Sequence, residues 1–230
     1  MSKEQIAFAF PDGSSKKYEK GVTGELIAKG IGEGLARAAL GVKLDSEVLD
    51  LNCPLSTGGA LFLITAKMPK EANLLLWHST SHILAEAVLK LFPKAKPAVG
   101  PAIEDGFYYD FDVEKPFTPA DLEKIEVEMK KILSKKISFE RKEISRADAL
   151  KLFAKNAYKK ELIEELPKDA KISTYKSGSF EDLCAGPHLP NSSFIKAFKL
   201  LRCSGAYWRG SEKNKMLQRI YGIAFFEEKG

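Results

Sequence analysis

The order of apolar and turn segments over the first 65 residues leaves few folds open to this chain. IAFAF, at residues 6–10, alternates in polarity and is joined by the turn PDGSS to KKYEKGV, which predicts a β-hairpin. One helix is predicted next, from a cap at Thr23 to about Ala39, and EVLDLNCPL and ALFLITA then predict two strands joined by a Ser-Thr-Gly-Gly turn. This order indicates a small α+β unit of the β-grasp kind.

The segment KMPKEAN, with its proline and its charges, is the best candidate for a domain boundary. We therefore predict a first domain at residues 1–66 and a second, larger domain at residues 67–230. The chain is long enough for this division, since small domains of this length can bury a core of their own.

The second domain is also predicted to be α+β. Apolar spacing predicts an amphipathic helix over Glu71–Leu91. Thr118 and Ser145 are capping residues that open two further helices, to about Lys135 and Lys155. GPAIEDGFYYDFDV reads as a turn and a strand, and short strands with glycine turns return from ISTYKSG to the end of the chain.

The composition is typical of a folded protein that does not enter a membrane. Hydrophobic residues make up 44% of the chain and charged residues 29%. No apolar run approaches the roughly 20 residues that span a bilayer, and the start of the chain does not resemble a signal peptide. Three scattered cysteines do not suggest a disulfide framework, so a cytoplasmic location is expected. The net charge of +5 permits a polyanionic partner but does not by itself indicate RNA binding.

All three histidines of the chain lie in two similarly spaced pairs. His78 and His82, in HSTSH, share one face of the predicted helix because residues four apart lie above each other. Cys184 and His188 have the same spacing in the loop CAGPH. Such ligands suit zinc, although HSTSH lacks the glutamate of the zinc-peptidase motif. Chance spacing of the histidines and a buried structural cysteine are the alternatives.

Asp182 lies two residues before Cys184, so the two side chains project to the same side of an extended segment. Asp182 is then placed to orient His188 or a substrate amine. A solvated loop carboxylate is the alternative interpretation.

Further residues have both a functional and an ordinary interpretation. Tyr108 and Tyr109, in GFYYDFD, are interpreted either as residues that line a pocket or as residues that pack in a sheet. Lys159, beside Lys160, is interpreted either as a residue of a functional site or as part of a solvated helix face. Arg209 lies in GAYWRGSEKNKMLQR, whose aromatic and basic residues suit base stacking and phosphate neutralisation, or simply form a hairpin turn.

Four stretches of the chain resemble the N-terminal half of bacterial-type threonyl-tRNA synthetases: HSTSHILAEAV, GPAIEDGFYYDFDVE, DLCAGPHLP and KAFKLLRCSGAYWRGSEKNKMLQRIYGIAF. The first 65 or so residues resemble the TGS domain, a ubiquitin-like β-grasp module. The remainder resembles the editing domain of the family, which is related to that of alanyl-tRNA synthetases. The resemblance therefore implies an α+β chain with a TGS domain followed by an editing domain.

The resemblance implies hydrolysis of mischarged Ser-tRNA(Thr) at its seryl ester, while Thr-tRNA(Thr) is spared. The expected partner is the 3′ end of tRNA(Thr) carrying serine. A methyl group supports discrimination of only about 1–3 kcal/mol in one pocket, so a second site has to remove the error. A water molecule is expected to attack the ester carbonyl directly.

The resemblance also implies which residues act, by motif position. The implied catalytic residues are His78, His82, Lys159, Asp182, Cys184 and His188. Lys159, with Lys160 as the alternative match, and a histidine are expected to position or activate the water. Asp182 is expected to recognise the seryl ammonium or hydroxyl group, and Cys184 is not expected to be a covalent nucleophile. Tyr109, its neighbour Tyr108 and Arg209 are expected to bind the substrate.

Ligand type and family resemblance give opposite indications about a metal. Ligand type favours zinc at His78, His82, Cys184 and His188, as in the alanyl relatives. The threonyl type is expected to work with ordered water, so we predict that editing requires no cofactor. The resemblance assigns ATP and a further zinc to a ligase core that would follow residue 230. The chain is thus expected to be a fragment acting with the remainder of the synthetase, or else a free-standing editing protein.

Two other functions stay open at this point. One is a zinc-dependent deacylase of the alanyl type, acting in trans on mischarged tRNAs. The other is a non-catalytic tRNA-binding or regulatory module in which the histidines are structural.

Overall fold

A computed structural model describes residues 4–228, whose contacts divide into two compact units. The first unit runs to Leu75 and includes Gly186–Pro190, and the second comprises Leu76–Ala185 and the chain from Asn191 onward. The predicted domain limits, 1–66 and 67–230, stay a prediction.

The first unit contains one mixed five-stranded sheet and two short helices. Its elements are β1 (Gln5–Ala9), β2 (Ser15–Glu19), α1 (Gly24–Ile31), α2 (Glu33–Ala38), β3 (Gly41–Leu44), β4 (Glu47–Asp50) and β5 (Gly59–Ile64). The strand order is β2-β1-β5-β3-β4, and only the pair β1 and β5 is parallel. The predicted hairpin is confirmed, since β1 and β2 pair antiparallel from Gln5 and Glu19 to Ala9 and Ser15.

Two details of the first unit differ from the sequence prediction. The single helix predicted from Thr23 to about Ala39 is two helices, because Gly32 has extended backbone angles between them. Glycine is a poor helix former, so the break falls where the helix is weakest. The strands predicted on either side of the Ser-Thr-Gly-Gly turn do not pair with each other, because the unpredicted strand β3 lies between them in the sheet.

The core of the first unit follows from the period of its elements. Along β1, Ile6 and Phe8 are buried while the residues between them are exposed, as alternation in a strand requires. Ile27 and Ala28 of α1 are fully buried. The core residues are Ile6, Phe8, Ile27, Ala28, Ala39, Val42, Leu44, Leu51, Leu55 and Leu61.

A helix of 23 residues, α3 (Pro69–Leu91), carries the chain from the first unit into the second. The further elements are β6 (Lys96–Pro97), β7 (Ala102–Ile103), β8 (Gly106–Asp112), α4 (Pro119–Leu133), β9 (Phe139–Ile144), α5 (Arg146–Leu152), α6 (Ala157–Glu165), β10 (Ile172–Ser177), β11 (Phe180–Leu183), β12 (Ala197–Tyr207) and β13 (Met216–Phe225). Two antiparallel sheets form, with strand orders β11-β10-β9 and β12-β13-β8-β6, and β7 also pairs with β8. The predicted α+β class is confirmed.

The starts of the predicted helices agree with the structure better than their ends do. Thr118 caps α4 in a capping box with Asp121, and Ser145 caps α5. Both helices end a few residues earlier than predicted, at Leu133 and Leu152, where lysine-rich sequence gives no clear stop signal. Within residues 4–228, no helix combines the length and the apolar character needed to cross a membrane.

Candidate active site

Helix α3 presents His78 and His82 on one face, as their spacing predicts. The two rings are 5.4 Å apart at their centroids and nearly perpendicular. His78 Nε2 lies 3.4 Å from Cys184 Sγ, which belongs to the segment after β11. The ligand atoms of His78, His82 and Cys184 lie within 4.8 Å of one another, which makes these three residues a group of possible metal ligands.

Cys184 is held at the end of the β10–β11 hairpin by hydrogen bonds to Ser173. The Cys184 backbone N–H donates to the Ser173 carbonyl over 3.1 Å, and the Ser173 hydroxyl donates to the Cys184 carbonyl over 2.6 Å. These bonds continue the strand pairing one residue past Leu183, where β11 ends. The thiol is therefore positioned by the hairpin rather than by a loose loop.

Asp182, on β11, is the centre of a buried polar network. Its Oδ1 lies 2.5 Å from Lys159 Nζ, and its Oδ2 accepts a hydrogen bond of 2.5 Å from the Tyr109 hydroxyl. Lys159 Nζ is also 3.4 Å from the Tyr109 oxygen. Lys159 and Asp182 are only 2% and 3% exposed, and Tyr109 is fully buried. The ion pair of Lys159 and Asp182 is thus completed by Tyr109, and the three residues come from distant parts of the chain.

His82 lies beside this network. Its Nε2 is 4.0 Å from Asp182 Oδ2, which is close enough for electrostatic interaction but too far for a direct hydrogen bond. Burial lowers the pKa of the His82 imidazole well below its ordinary value, and the nearby His78 and Lys159 lower it further. The imidazole of His82 is therefore neutral at neutral pH and has a lone pair that can accept a proton.

The position of Lys159 follows from the start of α6. Asn156 caps this helix through its side chain, which accepts hydrogen bonds from the Tyr158 and Lys159 backbone N–H groups. The Asn156 amide also donates to the Pro97 carbonyl over 2.8 Å, which ties the cap to β6. Lys159 then points inward, whereas Lys160 is exposed. The structure therefore places Lys159, and not its neighbour, beside Asp182.

Tyr109 is fixed by the interior face of the sheet. Its ring stacks on Phe111 at 4.9 Å, two residues further along β8. A Cβ at Gly100 would lie 2.0 Å from the Tyr109 ring, so only glycine permits this approach. Burial raises the pKa of the Tyr109 phenol well above its ordinary value, and the carboxylate of Asp182 raises it further. Tyr109 therefore stays protonated and donates its hydrogen to Asp182.

Tyr108 lies on the opposite face of β8 from Tyr109, because successive strand residues alternate. There the Arg219 guanidinium stacks on the Tyr108 ring at 3.8 Å and forms two hydrogen bonds to Asp110, of 2.7 and 2.8 Å. Tyr108 is therefore outside the network of Tyr109, Lys159 and Asp182. A contact between Tyr108 and a substrate stays a prediction.

Arg209 is also outside this network. It lies in the turn between β12 and β13, where its guanidinium pairs with Glu161 and Glu165 and covers the Trp208 ring. Both carboxylates belong to α6, so Arg209 fastens the turn to that helix. A contact between Arg209 and RNA stays a prediction.

His188 lies in the segment that groups with the first unit. Its backbone N–H donates to Asp50 Oδ1 over 2.7 Å, and its side chain is buried. Its predicted catalytic role stays a prediction.

Phe180 was not among the residues predicted from the sequence, yet its ring packs edge-on against His82 at 5.7 Å. It precedes Asp182 by two positions on β11, so the two side chains share a face of the strand. That period of two is the signal in the sequence that could have identified Phe180 as a neighbour of the site.

Comparisons with known proteins identify two domains in the chain and a set of relatives. Residues 6–65 match the TGS domain, and residues 172–221 match the threonyl and alanyl tRNA synthetase second additional domain. The chain is 54% identical over 222 residues to a threonine–tRNA ligase of Desulforamulus reducens, 53% over 227 residues to one of Citrifermentans bemidjiense, and 46% over 226 residues to one of Staphylococcus aureus. These alignments cover 96–98% of this chain and 35% of each relative. The chain thus spans about a third of the length of the curated relatives it matches.

The lowered pKa of His82 predicts that the free energy of unfolding depends on pH. The unfolded chain binds a proton at His82 below pH 6.5, the ordinary value, whereas the folded chain does not until a lower pH. The free energy of unfolding should therefore fall as the pH drops from 7 to 5, by up to about 1.4 kcal/mol per pH unit for this group. Urea denaturation at several pH values should show a shallower fall for His82→Gln than for the unsubstituted chain. Parallel pH profiles for the two proteins would contradict the assignment.

Proposed function

The chain belongs to the threonyl-tRNA synthetase family, whose TGS and second additional domains it carries, and from this we propose that it is the editing part of a threonine–tRNA ligase. In this proposal it hydrolyses the ester of Ser-tRNA(Thr) and leaves Thr-tRNA(Thr) intact. The related ligases support a synthetase-related enzyme with an editing or tRNA-binding role. The choice of serine and the deacylation itself belong to the proposal.

One observation carries this proposal: the buried pair of Lys159 and Asp182, fixed by Tyr109, lies beside the neutral imidazole of His82. Buried charges are costly unless they are paired, and such groups cluster at functional sites. Asp182 and Cys184 also fall inside the stretch that matches the second additional domain. A purely structural core would not need a lysine, an aspartate and two histidines at one place.

In the proposed reaction, water attacks the ester carbonyl and the ribose hydroxyl of the terminal adenosine leaves. Neutral His82 is suited to accept the proton of the attacking water and to return it to the departing ribose oxygen, which then leaves as the hydroxyl. Lys159 Nζ has three N–H donors, of which Tyr109 accepts one while Asp182 pairs with the charge, so donor capacity is left to hold the water or the developing oxyanion. Asp182 keeps acceptor capacity on both oxygens for the seryl ammonium or hydroxyl group.

Discrimination between serine and threonine is proposed to depend on size. A site that admits serine and clashes with the extra methyl of threonine removes the error without removing the correct product. This is the double-sieve arrangement, which is needed because one pocket discriminates a methyl by only about 1–3 kcal/mol.

The donor set at the site fits zinc. Imidazole nitrogen and thiolate sulfur are its usual ligands, and the 3.4 Å between His78 Nε2 and Cys184 Sγ is near the separation of about 3.5 Å expected for two ligands of a tetrahedral zinc. His78, His82 and Cys184 would hold the ion, which would supply Lewis-acid polarisation of a carbonyl or water. The sequence predicts His188 as a fourth ligand. Four protein ligands would leave no open position for a substrate, however, and that pattern is typical of structural zinc. We therefore propose that editing requires no metal.

The partners proposed for this chain are the 3′ end of seryl-tRNA(Thr) and the remainder of the synthetase, which would supply aminoacylation with ATP. A cytoplasmic location is part of the same proposal.

The central test is a deacylation assay with three substrates. We expect the chain to release serine from Ser-tRNA(Thr), to leave Thr-tRNA(Thr) intact, and to act much more slowly on Ser-tRNA(Ala). Acid gels or release of labelled amino acid would measure each rate. Equal hydrolysis of both seryl-tRNAs would favour an alanyl-type deacylase, and binding without hydrolysis would favour a non-catalytic module.

A matched substitution of the neighbouring Lys160 distinguishes a specific role of Lys159 from the mere loss of a positive charge. Lys159→Met keeps the apolar stem but removes the ammonium group, and we expect kcat to fall about 10²- to 10³-fold, the usual loss for one stabilising donor. Lys160→Met removes an exposed ammonium next to it and should leave kcat unchanged. Near-ultraviolet circular dichroism would check that both variants are folded. Equal rates for the two variants would exclude Lys159 from the chemistry.

The metal proposal has its own test. Protein purified in the presence of a chelator should contain zinc far below one ion per chain by elemental analysis, and it should deacylate Ser-tRNA(Thr) at the same rate as untreated protein. One zinc per chain that resists dialysis, together with a loss of activity on chelation, would show that the His and Cys side chains hold a required metal.

A further inference from the structure

The face of α3 that carries His78 and His82 continues to Glu86, which the proposed chemistry does not use. Glu86 is four residues after His82, and only 3% of it is exposed. Its Oε1 accepts hydrogen bonds from the Ser179 hydroxyl, at 2.9 Å, and from the Ser179 backbone N–H, at 3.3 Å. Lys90, one turn further along the helix, supplies the counter-charge at 2.8 Å. A buried carboxylate is thus bound to the backbone of a different element.

That element is the tip of the β10–β11 hairpin. Ser177 pairs with Phe180, so Gly178 and Ser179 form a two-residue turn between the strands. Gly178 has a left-handed φ of +57°, and a Cβ there would lie 2.9 Å from the Glu86 carboxylate oxygens. The left-handed backbone of the turn favours glycine, and the absence of a side chain there leaves room for the Glu86 carboxylate.

The hairpin touches α3 at three successive levels. Cys184 contacts His78, Phe180 packs on His82, and Ser179 binds Glu86. Residues four apart on a helix are separated by about 6 Å along its axis, so these contacts together fix the hairpin lengthwise on the helix. Of the three, only the contact at Glu86 is a set of charge-assisted hydrogen bonds to the turn, and such bonds are directional and roughly twice as strong as neutral ones.

The same hairpin carries the reacting groups of the proposed site. Asp182 is three residues from Ser179 along a paired strand, a distance of about 10 Å. A shift of the turn therefore moves Asp182 relative to Lys159 and Tyr109, which are anchored on other elements. Misplacement of a catalytic group by about 1 Å can cost on the order of 100-fold in rate.

We propose that Glu86 is a positioning residue for the editing site: it holds the Gly178–Ser179 turn on α3 and thereby places Asp182 and Cys184. This inference rests on the proposed deacylase function. Glu86 does not touch the reacting groups itself. Because Asp182 is proposed both to bind the seryl group and to orient Lys159, removal of Glu86 should lower kcat/KM.

The kinetic test uses the whole chain and Ser-tRNA(Thr). Glu86→Ala should lower kcat/KM about tenfold or more, and Glu86→Gln, which keeps an acceptor for Ser179 but loses the pair with Lys90, should lose less. Ser179→Ala should lower kcat/KM in the unsubstituted chain but add little to Glu86→Ala, because both substitutions remove the same contact. Glu123→Gln is the matched control: Glu123 is exposed on α4 and makes no ion pair or side-chain hydrogen bond with the part of the chain that the structure describes.

A second readout does not depend on activity. The alkylation rate of the Cys184 thiol, followed by peptide mass mapping, should change several-fold in Glu86→Ala, whereas that of Cys203 on β12 should not. If the unsubstituted chain fails to hydrolyse Ser-tRNA(Thr), the proposed function is wrong, and the thiol measurement still tests the placement. An unchanged kcat/KM together with an unchanged Cys184 alkylation rate in Glu86→Ala would overturn the inference.

Discussion

The buried ion pair between Lys159 and Asp182 is the interaction on which the second unit's site depends. Removing two charges from water costs several kcal/mol per ion even in relaxed proteins, so the pair persists only with good geometry and further hydrogen bonds. Tyr109 provides such a bond to the carboxylate. The elements α6, β11 and β8 must therefore meet in one arrangement, since any other would leave a buried charge without its partner.

The pleat of β8 separates two chemical environments within adjacent residues. Phe107, Tyr109 and Phe111 face the interior and are fully buried. Tyr108 and Asp110 face the other way, where Arg219 stacks on the tyrosine and pairs with the aspartate. In the run GFYYDFD, the two adjacent tyrosines therefore lie in different environments: Tyr109 in the buried network of Asp182 and Lys159, and Tyr108 in the stack with Arg219.

Local periodicity predicted the parts of the site that lie on one element. The spacing of four placed His78 and His82 on one helix face, and the capping signals located the starts of α4 and α5. Contacts between elements could not be predicted in this way. The contacts of Asp182 with Lys159 and Tyr109 join three elements and had no local signal in the sequence, while the expectation that Asp182 orients His188 or a substrate amine stays a prediction. The sequence around Lys159 contains no signal for the elements that α6 packs against. The helix itself was not predicted, because its lysines and glutamates obscure the apolar period.

The pKa shifts at the site leave His82 uncharged and Tyr109 protonated at neutral pH. Burial and two nearby basic groups disfavour a proton on His82, while burial and a neighbouring carboxylate favour one on Tyr109. His82 can then accept a proton where Tyr109 cannot, although both lie close to the same carboxylate. Because Tyr109 and Lys159 already bind the two oxygens of Asp182, the carboxylate can steer the neighbouring groups without taking the proton itself. The proposed hydrolysis needs this separation of roles, because the base that accepts a proton from water has to differ from the phenol whose proton binds Asp182.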